Sequence, residues 1–197
     1  MAVGAEPLTL LALGDSLTQG YGLPQEDGFV PQLQAWLIAK GQDVVVINAG
    51  VSGDTTAGGL SRLAWSLTPE VDAMIVNLGG NDLLRGIDPA NSRANLEAIL
   101  TEAQARNLPV LLVGLRAPGN YGADFKADFD AIYPDLAAKY GVETETNFFL
   151  PLIDQTTRRF AADTMQADGI HPNAKGVALI VAGLGDEVLA LLQKVTR

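Results

Sequence analysis

The chain has 197 residues, enough for one domain with a full hydrophobic core, and its 48% hydrophobic and 18% charged composition is that of an ordinary globular protein. Thirteen Lys and Arg against 23 Asp and Glu leave a formal charge of −10, which argues against nucleic acid or an anionic membrane surface as the main partner. The absence of cysteine excludes disulfides, thiolate catalysis and Cys-based metal sites, and a single histidine excludes a multi-His metal site.

In chain order, residues 1–7 are expected to form a flexible N-terminal segment of a single domain that spans 1–197. Met1-Ala2-Val3-Gly4-Ala5 lacks the basic and long apolar regions of a complete signal peptide. Its small residues also match the remnant of a cleavage region. The compartment stays open: periplasmic or secreted if the segment is such a remnant, cytoplasmic otherwise. The apolar run at 8–13 reads as a buried strand ending at Gly14. A helix over 29–40 carries Leu33, Trp36 and Leu37 at helical spacing. The β-branched run at 44–47 reads as a second strand, and a helix over 55–67 carries Leu60, Leu63 and Leu67 with Pro69 beyond it.

A third strand at 73–78 ends at Gly79-Gly80. Asp88-Pro89 reads as an N-cap with Pro in the first helical position, opening a helix that carries Leu96, Ile99 and Leu100. A fourth strand at 110–113 ends at Gly114, and 116–123 is a loop by composition. A helix over 125–140 carries Phe129, Ile132 and Leu136, and a weaker fifth strand signal lies near 142–149. The last helix, about 173–193, contains Gly176, Gly183 and Gly185, which predicts either a weak middle or close packing. Its apolar run at 177–184 is far short of the ~18 residues a membrane span needs, so no stable membrane insertion is expected.

Strands alternating with helices predict an α/β fold of three layers, α/β/α, around a parallel sheet of about five strands in flavodoxin-like order. Ligands of such sheets bind at the carboxyl ends of the strands. Strand one delivers Gly14-Asp15-Ser16-Leu17 to that rim, strand two Asn48-Ala49-Gly50-Val51-Ser52-Gly53-Asp54, and strand three Gly79-Gly80-Asn81-Asp82. Asp168-Gly169-Ile170-His171-Pro172 precedes the last helix and joins them if that helix starts at the same rim.

Ester hydrolysis needs a nucleophile, a base, a group that orients the base, and donors for the developing oxyanion. Ser16 is a hydroxyl in a Gly-led turn, His171 is the only imidazole, and Asp168 stands three residues before it. The Ser16 N–H, the Gly53 N–H and the Asn81 side-chain amide together make a three-donor oxyanion hole. Each residue also has a local structural alternative: Ser16 as a helix cap, Asp168 as a cap of the turn before Pro172, Gly53 as a positive-φ position and Asn81 as a turn residue. Asp15 and Asp82 read as local backbone hydrogen-bonders.

These four groups resemble, in order, the sequence blocks of the SGNH (GDSL) hydrolase family. Gly14-Asp15-Ser16-Leu17 matches the first block, Gly53 the second, Gly79-Gly80-Asn81-Asp82 the Gly-x-Asn-Asp block and Asp168-Gly169-Ile170-His171 the Asp-x-x-His block. Residues 48–55, 78–86, Asn120-Tyr121-Gly122, Ala131-Ile132-Tyr133-Pro134 and 168–173 are most similar to a bacterial branch of multifunctional thioesterases and lysophospholipases. The resemblance implies a flavodoxin-like fold, a Ser16–Asp168–His171 triad, an oxyanion hole at Ser16, Gly53 and Asn81, no metal and no organic cofactor. It also implies that the loops 83–88 and 116–121 flank an acyl pocket, with Leu84, Ala117, Pro118 and Tyr121 as candidate substrate contacts. Relatives often carry a bulkier apolar residue at the Ala117 position. The Gly-x-Ser-x-Gly elbow of the α/β-hydrolases is absent.

The expected activity is hydrolysis of a broad range of acyl esters or thioesters through a Ser16 acyl-enzyme, by a monomer whose partner is a small-molecule substrate. Two alternatives remain: acyl transfer by the same residues, and a non-enzymatic flavodoxin-like module holding an anion at the Gly14–Ser16 turn.

Overall fold

A computed structural model describes residues 6–196. Most of the segment expected to be flexible, residues 1–5, lies outside the described residues. Five parallel strands, β1 (Leu8–Gly14), β2 (Val44–Gly50), β3 (Ala73–Asn77), β4 (Val110–Val113) and β5 (Glu143–Glu145), form one sheet in the order β2-β1-β3-β4-β5. Seven helices connect and follow them among the described residues: α1 (Ser16–Gln19), α2 (Phe29–Ala39), α3 (Thr56–Ser66), α4 (Gly80–Arg85), α5 (Pro89–Ala105), α6 (Ala123–Tyr140) and α7 (Ala174–Leu192).

The order explains the layers. The crossover from β1 through α2 runs to one side, while those through α3, α5 and α6 run to the other. Right-handed crossovers therefore put α2 on one face and the remaining three on the opposite face. Helix α7 packs beside α2, and α5 lies between α3 and α6. The three-layer α/β/α architecture is as the alternation of elements predicts. Strands β3 and β4 are buried along their whole length, which is why they read as unbroken apolar runs and not as alternating ones. The edge strand β2 alternates buried Val44 and Val46 with exposed Val45 and Ile47.

Caps visible in the sequence close the helices. Asp88 accepts from Ala90 N with Pro89 in the first turn of α5, and Thr55 and Asn173 accept from Gly58 N and Gly176 N at the starts of α3 and α7. The fifth strand is shorter than the run at 142–149. After Glu145 the chain turns at Asn147, whose side chain accepts from Phe149 N, into a 3-10 turn over Leu150–Leu152. Pattern reading did not separate α1 and α4 from the loops around them, because four and six residues carry no helical period. No helix among the described residues is long and apolar enough to cross a membrane.

The glycines of α7 serve close packing. A Cβ on Gly185 would lie 2.4 Å from the Trp36 ring of α2, and one on Gly176 would lie 2.1 Å from the Thr164 carbonyl oxygen. The second contact involves backbone that also accepts from Asn173 N at 3.0 Å, so it cannot yield cheaply. Gly176→Ala should therefore lower unfolding free energy by about 1–3 kcal/mol, despite alanine's better helix propensity, and should reduce ester turnover by shifting the segment that carries Asp168 and His171. Urea unfolding beside steady-state kinetics checks it, and a variant as stable and active as the parent would contradict it.

Candidate active site

Strand register sets the site's floor. Gly14 pairs with Gly50 on one side and with Asn77 on the other, so three chain segments leave the sheet at the same height. Here the crossover direction reverses, the place where open α/β sheets form a crevice. Gly14 is required by contact: a Cβ there would lie 2.0 Å from Thr18 Oγ1 and 2.8 Å from the Asn77 carbonyl oxygen. Ser16 is the first residue of α1 and not its cap. Asp15 holds the cap position and accepts from Leu17 N at 3.0 Å.

The structure brings Ser16, near the start of the chain, against the Asp168–His171 pair near its end. Ser16 Oγ is 2.9 Å from His171 Nε2, and His171 Nδ1 is 2.7 Å from Asp168 Oδ2. Asp168 also accepts from the N–H groups of Ile170 and His171 through Oδ1, at 2.9 and 3.0 Å. Its turn-capping alternative and its contact with the imidazole therefore hold at once. The hydrogen bond from His171, followed by those two backbone donors, draws the Asp168 carboxyl down to about 2. An ionised carboxylate only accepts, so the proton on the ring belongs on Nδ1, and Nε2 is left to accept from the serine hydroxyl. The Tyr21 ring packs against the imidazole with centroids 4.8 Å apart.

Beside Ser16, Gly53 adopts a φ of +86°, which directs the loop after β2 over the crevice. Among the described residues, neither the Ser16 N–H nor the Gly53 N–H is used by the hydrogen bonds that fix these turns. Asn81 Nδ2 donates to the Asp54 carbonyl at 2.9 Å and makes a longer, 3.4 Å contact with Asp15 Oδ2. Arg85 donates to the Gly53 carbonyl at 2.8 Å, while Arg62 donates to Asp54 Oδ2 at 2.6 Å and to the Gly14 carbonyl at 2.8 Å. Asp82 corrects the expectation of a local role. It is buried and accepts from Thr56 N, Thr56 Oγ1 and Ser92 Oγ at 2.6–2.9 Å, tying the starts of α3 and α5 to the turn that carries Asn81.

A cleft of about 510 Å³ opens above these groups. Leu84, Pro118 and Tyr121 line it, together with Leu83. Leu84 is 60% exposed, and Tyr121 Oη donates to its carbonyl oxygen at 3.3 Å. Ala117 does not line the cleft. It is 3% exposed, with its N–H held by Asp130 and its carbonyl by Lys126, so the residue is turned inward. Arg116, in the loop expected to flank the pocket, lines the cleft, and so do Tyr21, Phe149, Ile153 and Phe160, which the sequence did not announce. Ile153 and Phe160 face each other across an isolated antiparallel bridge in an irregular segment without periodicity. Only the flanking glycines at 20 and 22 mark Tyr21. No cluster of potential metal ligands occurs among the described residues.

Residues 12–179 match the GDSL-like Lipase/Acylhydrolase family. The chain belongs to that family. This GDSL hydrolase is 42% identical over 165 residues to Esterase TesA of Pseudomonas aeruginosa, covering 83% of this chain and 79% of that one. It is 36% identical over 185 residues to thioesterase 1/protease 1/lysophospholipase L1 of Escherichia coli K12, covering 93% and 85%. The crystal structure of AlinE4, an SGNH-hydrolase family esterase, superposes with a TM-score of 0.77 at 43% identity, covering 95% of this chain and 97% of that one. As a GDSL hydrolase of the SGNH type, the protein is a serine esterase.

Burial distinguishes Asp15, the carboxylate next to Ser16 in the chain. Loss of solvent pushes Asp15 up to about 6 from 3.8, against the lowering by Leu17 N and His171, and with Asp82 adding to the rise. Between those two pH values the folded chain keeps a proton that the unfolded chain has released. Stability attributable to Asp15 is thus full below about 4, is lost as pH rises through about 6, and stays level above. Asp15→Asn retains an acceptor for Leu17 N and removes the charge. Its unfolding free energy should rise relative to wild type across that window, by on the order of 2–3 kcal/mol at pH 7.5, and the gap should close near pH 4. Parallel stability curves for the two proteins would refute this.

Proposed function

We propose that the GDSL hydrolase cleaves carboxylic esters of broad structure through an acyl-enzyme on Ser16, with His171 as general base and then general acid and Asp168 as the group that orients it. The observation that carries the reading is the 2.9 Å contact between Ser16 Oγ and His171 Nε2, made by residues 155 positions apart. The hydroxyl attacks the acyl carbonyl while its proton passes to Nε2. Collapse of the tetrahedral intermediate returns that proton to the leaving alcohol or thiol, and water then repeats the sequence to free the acid. Asp168 stays ionised throughout, holding the ring by Nδ1 and stabilising the imidazolium.

The oxyanion is received by the N–H groups of Ser16 and Gly53 and by Asn81 Nδ2. The bond from Asn81 to Asp54 uses one amide hydrogen, and the other makes only the long contact to Asp15. Arg85 and Arg62 hold the loop that presents Gly53. The cleft's size suits a small-molecule acyl ester, with Leu84, Pro118 and Tyr121 against the acyl or alcohol part. The names of the relatives support aryl esters, thioesters and lysophospholipids as the range to test. The anion-binding alternative leaves His171 without a role, whereas its ring is engaged at both nitrogens.

Ser16→Ala should abolish turnover of a 4-nitrophenyl ester and labelling by a fluorophosphonate while leaving the thermal unfolding midpoint within a few degrees. Wild-type rates in that variant would end the assignment. Asp168→Asn should lower kcat about 10⁴-fold with a much smaller change in KM, as in other triads in which the orienting carboxylate is lost. A nearly silent substitution would remove Asp168 from the mechanism.

A further inference from the structure

Among the described residues, the side chains lining the cleft are mostly apolar or neutral, and Arg116 is the one permanently cationic group. Its surroundings leave that charge poorly compensated. The nearest carboxylate is Asp130, 3.5 Å from Nη1. Asp130 already takes Lys126 Nζ at 2.7 Å and the Ala117 N–H at 2.8 Å, so two cations share one carboxylate. The other contact of Arg116, from Nη2 to Thr146 Oγ1, is long at 3.4 Å. The side chain is 48% exposed, against 15% for Asp130, so the guanidinium is open to solvent in a residue that lines the cleft.

A second donor stands on the same wall. Asn147 lines the cleft and turns its Oδ1 back to accept from Phe149 N at 3.2 Å. Its amide N–H₂ has no protein acceptor among the described residues. A forked cation beside a neutral amide donor matches the oxygens of a carboxylate or a phosphate. Among the described residues, the only carboxylate lining the cleft, Asp15, is buried beside Ser16 and does not compete for this position. The formal charge of −10 does not oppose the match. Exposed charges are screened over about 8 Å at physiological ionic strength, whereas a contact to Arg116 is direct.

We propose that Arg116, with the Asn147 amide beside it, forms a subsite for an anionic substituent on the ester, a carboxylate or phosphate separated from the scissile carbonyl by a short chain. The proposal rests on the ester-cleaving reading of the cleft. It makes Arg116 a determinant of specificity and leaves the chemistry at Ser16 untouched.

The test compares charged and neutral substrates of equal length. Mono-4-nitrophenyl esters of glutaric and adipic acid are set against 4-nitrophenyl pentanoate and hexanoate, and 1-acylglycerol 3-phosphate against 1-acylglycerol, for wild type, Arg116→Gln and Arg116→Lys. Arg116→Gln should raise KM for the anionic member of a pair about 3–10-fold and change the neutral member less than about twofold, with kcat held. Arg116→Lys should recover part of the difference, and added salt should erode the wild-type preference. A selective effect confined to the dicarboxylate esters names carboxylate as the ligand, and one confined to the glycerol phosphates names phosphate. Equal effects on charged and neutral members, or none on either, would overturn the subsite. Failure of wild type to cleave the neutral esters would instead strike the ester reading itself.

Discussion

Strand β1 lies between β2 and β3, and its last residue, Gly14, is paired on both sides, with Gly50 and with Asn77. Everything at the crevice follows from that register. Ser16 leaves two residues after Gly14, Gly53 comes three after Gly50, and Asn81 comes four after Asn77, so the hydroxyl and the three donors around it start from one level. A shift of one residue in either pairing would send every side chain of β1 to the opposite face of the sheet and displace these groups. The core of β1, buried from Leu10 onward, makes that shift costly. The precision of the site is thus inherited from packing far below it.

Above the sheet, side chains take over from the strand ladder. Arg62 joins the end of β1 to Asp54 on the loop after β2. Arg85 holds the next carbonyl back, and Asn81 closes the ring by donating to Asp54. Asp82 fastens the same turn to α3 and α5 through buried bonds whose loss would strand a charged acceptor without solvent. Loops that would otherwise sample many conformations are held at both ends and in the middle. Backbone carbonyls and long arginine side chains thus supply preorganisation of the kind that acyl transfer draws on.

The sheet and its main helices were legible because their physics is local. Four consecutive apolar residues at β4, or Asp88-Pro89 at the head of α5, state their structure without reference to anything distant. The four chemical groups were legible for a different reason: each sits directly after a recognisable strand or directly before a recognisable helix. What escaped reading depends on partners far along the chain. Asp82 passed for a local backbone hydrogen-bonder because Thr56 and Ser92, which it binds, are 26 and 10 positions away. Ala117 passed for a pocket residue because its clamp by Asp130 and Lys126 comes from the next helix. Ile153 and Phe160 carry no period at all, and only the closed crevice gives them a role.

The wall formed by Ile153 and Phe160 has an evolutionary corollary. Their bridge belongs to a segment closed mainly on itself, with Asp154 accepting from Thr156 and Thr157 and donating its own N–H to the Arg159 carbonyl. None of the bonds that orient Ser16, His171, Gly53 or Asn81 passes through it. Sequence drift in this stretch can therefore reshape what the enzyme accepts while leaving how it reacts intact. Such modularity gives a protein engineer a natural boundary for a randomised library.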